Sequence, residues 1–470
     1  MEEIMIRLFT LALILCFTAS ISFAGHVDTY GIGSKGTSMG GAMTAATDDA
    51  FSVHYNPAAM SRIKKRTFAI GSHFVDPSLK MDHFNVDETS AFPISDLAGS
   101  DIKDKSPLLI VPHMAYVHPL NEKMTLGIAF YVPYGLDLKW DTDTTANPAA
   151  MNTFHSWYMR EVITPSFSYK VNDKLSLGFG ISIGKTKAGV ERVRYVPDFM
   201  KSAAAWQTAG YTAVQAAGAA AAYTELDGAQ YKTETEDDFN YSFNIGLLYD
   251  VNEKLSFGVT YRSKSDTKMD GNTDVTPDMA IWTNQNVDAS VEIDTPDQLS
   301  FGVQYKPIPK WSISADLTRT WWGAVKSYTV AFEDPFMATS GLSAGADEEH
   351  FERNWKDTWT YRIGTEYKLN KMIDLRAGYY YDPTVVPNDT FDVLWPDSDK
   401  HVFSGGLGLN FEKVSVDFVL QYIRISTVNI NGESENLNDS YTRPGVHVGE
   451  VDAKASGSIL GYGVTVSYKF

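Results

Sequence analysis

The chain has 470 residues, a formal charge of −18, and 25 Tyr, 25 Phe and 10 Trp against a mean hydropathy of only −0.20. So acidic a balance lacks the clustered basic charge that a nucleic-acid partner needs, and so heavy an aromatic load at so hydrophilic an average suits surfaces on which apolar and polar residues alternate. The length fits two or three soluble domains or one large β-barrel.

The only long apolar run, LFTLALILCFTASISFA, lies at the N-terminus behind Arg7. With Ser22 and Ala24 at the small-residue positions of a cleavage site, residues 1–24 read as a secretory signal, too short for a comfortable transmembrane helix. Glu2 and Glu3 are out of place in a segment that should be positive, so translation from Met5 is an alternative to Met1. Cys16, the only cysteine, lies in this segment behind Leu15 rather than the small residue of a lipoprotein site. The mature chain is therefore expected to carry no thiol, disulfide or cysteine-bound metal.

Residues 25–66 are rich in glycine and small side chains and contain no long alternating run, so they do not read as lipid-facing strands. The lumen of a wide barrel is their expected place, as an N-terminal hatch; a flexible periplasmic tail is the plainer alternative. GIGSKG within them has neither nucleotide-binding spacing.

From Thr67 onward one device recurs. LNEKMTLG (from Leu120), VNDKLSLG (from Val171) and VNEKLSFG (from Val251) are nearly superposable, and PIPKWSIS, LNKMIDL and NFEKVSVD (from Pro307, Leu369 and Asn410) are looser versions. Each is a tight polar turn opening onto an alternating strand; Tyr241, Phe243, Ile245, Leu247 and Tyr249 lead into one, and Leu255, Phe257, Val259 and Tyr261 lead out. Six turns join twelve strands, a strand near Thr67 to Phe74 precedes them, and the last strand ends ILGYGVTVSYKF. The sum is an all-β, transmembrane antiparallel barrel of 14 strands over residues 67–470, the even number expected in the bacterial outer membrane. Leu460, Tyr462, Val464, Val466, Tyr468 and Phe470 share one parity, which should face lipid. Opposite the short turns, Asp76 to Ser106, Glu191 to Phe239, Lys264 to Ala289 and Tyr328 to Asn354 are expected as long polar loops. In AFYVPYGLDL, Pro133 and Gly135 interrupt an otherwise spanning strand, because proline has no N–H for the ladder and glycine relaxes the backbone; a rim bulge is the alternative.

DDAFSVHYNPAAM, with Asn56, Pro57 and Ala58, resembles the hatch motif of the FadL and TodX family of outer-membrane transporters for long-chain fatty acids and aromatic hydrocarbons. The resemblance extends through YVPYGL, VERVRY, TYRSK and WKDTWTYRIG to the terminal aromatic. It implies a monomer closed by the hatch, without cofactor, that captures a hydrophobic small molecule outside and releases it sideways into outer-membrane lipid through a kinked third strand, with Pro133 and Gly135 at this lateral gate. Long-chain fatty acid is the expected cargo; aromatic hydrocarbon or alkane uptake and a general diffusion porin are the alternatives. Arg192 falls where fatty-acid members carry a carboxylate-binding arginine, and Arg353 lies near the second basic ligand without a clean match. Trp206 and Tyr211, in the alanine-rich Met200 to Gly228, fit a ligand-docking groove or simple loop packing.

No catalytic residues are expected. His155 and Ser156 are adjacent on a strand and so face opposite sides, no GxSxG occurs, and the histidines lack metal-ligand spacing.

Overall fold

The computed structural model describes residues 30–87, 100–144, 147–196, 198–340, 342–441 and 449–470. The expected signal peptide, the choice between Met1 and Met5, and residues 25–29 of the expected hatch lie outside these.

Strand pairing begins at the turns. In the repeated motif the asparagine curls its side-chain oxygen over the next two free amides: Asn121 Oδ1 accepts from Lys123 N at 2.9 Å and Met124 N at 3.0 Å. Asn172, Asn252 and Asn370 do the same. This Asx geometry mimics a backbone turn and starts each returning strand in register.

Fourteen strands form the wall: β1 (Thr67–Asp87), β2 (Leu109–Pro119), β3 (Met124–Lys139), β4 (His155–Lys170), β5 (Leu175–Val193), β6 (Gln230–Asn252), β7 (Leu255–Arg262), β8 (Gln298–Ile308), β9 (Trp311–Thr320), β10 (Thr358–Lys368), β11 (Ile373–Asp382), β12 (Lys400–Asn410), β13 (Val414–Asn431) and β14 (Glu450–Lys469). Each pairs antiparallel with its neighbours, and β14 pairs with β1 from Thr67↔Lys469 upward, so the sheet closes on itself without a first or last free strand. The expected hairpin is present as β6 and β7, with Tyr249↔Phe257, Leu247↔Val259 and Ile245↔Tyr261 paired. The apolar parity points outward; Ile245, Phe257, Leu460 and Tyr462 are all exposed, as a lipid-facing surface requires.

The regions expected as polar loops need correction. β1 continues to Asp87 rather than ending near Phe74, and the segments above the wall contain strands Ser100–Lys103, Lys268–Thr276, Asn286–Glu292, Ser327–Phe336 and Ala346–Glu352. These ribbons continue the sheet: Lys268–Thr276 pairs with the upper part of β6 and with Asn286–Glu292, which in turn meets Ser327–Phe336. Their sequences are polar because the outer face is wet, yet Met269, Val275, Val287 and Val291 are buried beneath, so alternation survives at lower contrast. The alanine-rich segment forms two helices, Ala203–Thr208 and Ala213–Leu226, the second started by a Thr212/Gln215 capping box.

Candidate functional site

The segment from Tyr30 to Arg66 lies against the inward face of the wall. Asn56 is its central fastener: buried, it donates from Nδ2 to Thr44 O at 2.7 Å and to Leu247 O of β6 at 3.1 Å, and its Oδ1 accepts from Ala58 N at 3.1 Å. That last bond caps the 3-10 helix Pro57–Arg62, in which Pro57 occupies the first turn, where a missing N–H costs nothing. Ala58 O accepts from Ser168 of β4 at 2.9 Å. The wall makes room with glycine. A β-carbon on Gly178 would stand 2.2 Å from Ala58 N, one on Gly246 2.1 Å from Asn56 Oδ1, one on Gly258 2.1 Å from Thr44 O and one on Gly364 2.3 Å from Met39 O. Charge completes the seat: Lys35 bridges to Asp48 at 2.6 Å and Glu366 of β10 at 3.5 Å, and Arg62 reaches Asp250 of β6 at 2.5 Å.

Beside this seat the wall is incomplete. The ladder between β2 and β3 runs only from Pro119↔Thr125 to Met114↔Phe130, whereas β2 stays paired to β1 up to Leu109 and β3 stays paired to β4 up to Lys139↔His155. Higher up the two sides rejoin, where Lys105 N donates to Lys139 O at 2.7 Å. Among the described residues no rung crosses between, which leaves a window in the cylinder. The pairing of β3 with β4 shifts register between Tyr131 and Tyr134, around Pro133. From Ala129 to Leu138 every residue of β3 is buried, so the strand has lost its lipid-facing side and turned inward. Pro112 and Pro133 stand one on each margin and have no N–H to leave unpaired in an apolar medium.

Above the window, Tyr134, Leu136 and Leu138 join Tyr158, Trp322, Trp355 and Trp395 in one apolar cluster. Arg353 lies against it, 1% exposed. Its Nη1 reaches Asp392 at 2.5 Å and its Nη2 donates to Tyr328 Oη at 2.8 Å, with the Tyr328 and Phe351 rings beneath it. Arg192 pairs with Glu349 at 2.6 Å and packs over Tyr231; Glu191 turns instead to His155 at 3.4 Å. Both candidate carboxylate ligands are thus already matched by acids of the chain. Trp206 stacks on Tyr223 at 5.5 Å and donates to Met200 O at 2.7 Å, while Tyr211 touches its edge and stays exposed. Trp206 therefore holds the two loop helices together.

A family model described as outer membrane protein transport protein (OMPP1/FadL/TodX) matches residues 14–470. The chain belongs to this family. Among its relatives, the long-chain fatty acid transport protein of Escherichia coli K12 is 25% identical over 401 residues, 82% of this chain and 84% of that one. A Pseudomonas aeruginosa FadL homologue shares the fold with a TM-score of 0.75 at 19% identity, covering 95% of this chain and all of the other. The toluene transporter TodX of Pseudomonas putida does so with a TM-score of 0.65 at 19% identity over 94% and 99% of the two chains. Like its family, this protein is an outer-membrane transporter of hydrophobic compounds, not an enzyme.

Two features of this FadL-type barrel escaped the reading of its sequence. The repeat LNEKMTLG, VNDKLSLG, VNEKLSFG ends each time in glycine, Gly127, Gly178 and Gly258, and each of these receives the N-terminal segment; the letter was visible and its reason was not. The acids Glu349 and Asp392, which neutralise Arg192 and Arg353, lie 157 and 39 residues from their partners, beyond the reach of any local pattern.

Proposed function

We propose that this transporter takes up long-chain fatty acids, captured among the extracellular ribbons and discharged through the window between β2 and β3 into the membrane, with residues 25–66 as the hatch that blocks the straight path. The observation that carries the reading is the window itself. The missing rungs lie beside Pro133 and Gly135, and the N-terminal segment packs on glycines of the wall, which together support a sideways exit past a blocked bore. The relative named for long-chain fatty acids supports the acyl cargo. Closure of the barrel by β14 on β1 within one chain supports action as a monomer.

A neutral aromatic hydrocarbon or alkane is the second reading, favoured by the pairing of Arg192 with Glu349 and of Arg353 with Asp392: a cation already matched by a carboxylate offers little to another. Purification from native membranes followed by mass spectrometry of the bound lipophiles tests both. Co-purified fatty acid, together with uptake of oleate by cells that express the protein, supports the first; hydrocarbon alone supports the second.

A further inference from the structure

Some arginines of the lumen sit on carboxylates. Arg376 contacts Glu366, Asp374 and Asp417, and Arg62 contacts Asp250. Three do not. Arg160 of β4, 1% exposed, bonds to the neutral oxygens of Asn240 at 2.7 Å and Ser242 at 3.1 Å. Arg262 of β7 donates to Gln298 Oε1, to His54 O and to His54 Nδ1, each at 3.0 Å. Arg362 of β10 lies over the Tyr380 ring at 4.8 Å with its Nη1 buried and unpartnered. Among the described residues none of the three has a carboxylate within ion-pairing distance.

Arg262 and Arg362 belong to the segments TYRSK and WKDTWTYRIG, about a hundred positions apart in the chain, and they line one cavity of ≈ 110 Å³, partly open to solvent. Its lining also includes Gly40, Gly41, Thr44, His54 and Tyr55 of the N-terminal segment and Pro133 of the window. Among the described residues Asp316 is the only carboxylate of the lining, and one of its oxygens is taken by Thr44 N at 2.8 Å. His54 Nδ1 accepts from Arg262 and so carries no proton there. Two guanidiniums thus face one acid, with Arg160 adding its charge nearby. Arg262 and Arg362 are half-buried and reachable from the cavity, and forked guanidinium donors match a carboxylate well.

We propose that Arg262 and Arg362 form an anion-binding site in the lumen beside the N-terminal segment, where the carboxylate head group of the cargo is held while its tail lies toward Pro133 and the window. The outer arginines are structural and the inner pair reads the head group. This rests on the transport reading above and adds to it a place where acid is told from neutral hydrocarbon.

The test compares binding of oleate and oleyl alcohol to the full chain purified in detergent. It uses wild type, an Arg262→Gln/Arg362→Gln double variant and an Arg262→Lys/Arg362→Lys double variant, each checked for the heat-dependent gel mobility of a folded barrel. The expected result is an oleate preference of about tenfold or more in wild type, lost in the glutamine variant through weaker oleate binding at unchanged alcohol binding and largely regained with lysine. A glutamine variant that keeps the wild-type preference overturns the site and leaves the transport reading standing; a wild type that binds neither lipid overturns the reading itself. Should the variants fail to fold, a crystal structure of wild type with ω-bromopalmitate decides: a carboxylate at Arg262 and Arg362 supports the site, and one held only elsewhere overturns it.

Discussion

Met114 and Phe130 face each other across the last rung that joins β2 to β3, and directly above them the strands part. β2 contributes Pro112, which has no N–H to offer β3 although the strand stays paired to β1 up to Leu109, and β3 contributes the register break around Pro133. Restoring a strand-compatible sequence should therefore close the wall. Pro133→Val combined with Gly135→Ala is expected to reduce oleate uptake to the level of cells lacking the protein while the barrel still folds. Uptake of a fluorescent fatty acid and heat-dependent gel mobility check the two halves. Uptake at the wild-type rate would show that cargo leaves by another route.

The lumenal glycines make a second prediction. In Gly178→Val a side chain would start 2.2 Å from Ala58 N, and in Gly364→Val 2.3 Å from Met39 O, both well inside van der Waals contact with backbone of the N-terminal segment. Overpacking of this kind costs about 1–3 kcal/mol or more, and the wall, held by its ladders, is the stiffer partner. The N-terminal segment should yield. Each variant is expected to conduct ions steadily in planar bilayers, where wild type stays closed or flickers. Equal conductance in wild type and variants would mean that the segment does not block the bore, which is the behaviour of a general diffusion porin.

These relationships show why some of the molecule could be read from its sequence and some could not. The turns around Asn121, Asn172 and Asn252 are local: the asparagine bonds to amides two and three residues on, so a short pattern carries the whole cause. Strand number and the lipid-facing parity follow from those turns. Pro133 was legible for the same reason, because a proline's missing N–H acts where it stands. The ribbons above the wall were taken for loops because Lys268–Thr276 and Asn286–Glu292 face water on one side and bury few large side chains on the other, which blurs the alternation. Gly178 and Gly258 were visible as letters, but their purpose depends on backbone that arrives from more than a hundred residues away. Arg192 and Arg353 were chosen by resemblance, and their acids are set by the fold alone.

Asn56 offers a third test. Its side chain makes three hydrogen bonds, to Thr44 O, Leu247 O and Ala58 N, and alanine would leave two buried carbonyls and one amide without it. Each such group costs about 1–3 kcal/mol, so Asn56→Ala should loosen the N-terminal segment without touching the wall ladders. Hydrogen exchange is the direct measurement. Amides of Ala58 to Ile63 are expected to exchange about 10–100-fold faster, at about 1.4 kcal/mol per factor of ten, with those of β4 to β6 unchanged. Unaltered protection at Ala58 would assign the anchoring to Lys35 and Arg62 instead.

The buried pair of Arg353 and Asp392 separates a structural arginine from a ligand-binding one. Arg353→Ala strands the Asp392 carboxylate, 6% exposed and, among the described residues, otherwise bonded only to Trp395 N, and the loss of one partner of a buried ion pair costs about 3–5 kcal/mol. The extracellular cap of Trp322, Trp355 and Trp395 should then open and become accessible to protease on intact cells. Replacing both partners, as Arg353→Met with Asp392→Leu, removes the stranded charge along with its cause and should restore most of the protection, because apolar residues of similar size suit the surrounding aromatic cluster. Oleate binding gives the complementary measure. If Arg353 serves only the cap, the Met/Leu variant binds oleate as wild type does. If the guanidinium instead releases Asp392 to receive the cargo, the same variant regains its protease resistance and still loses oleate affinity, and the acid would then be recognised at the cap rather than in the lumen.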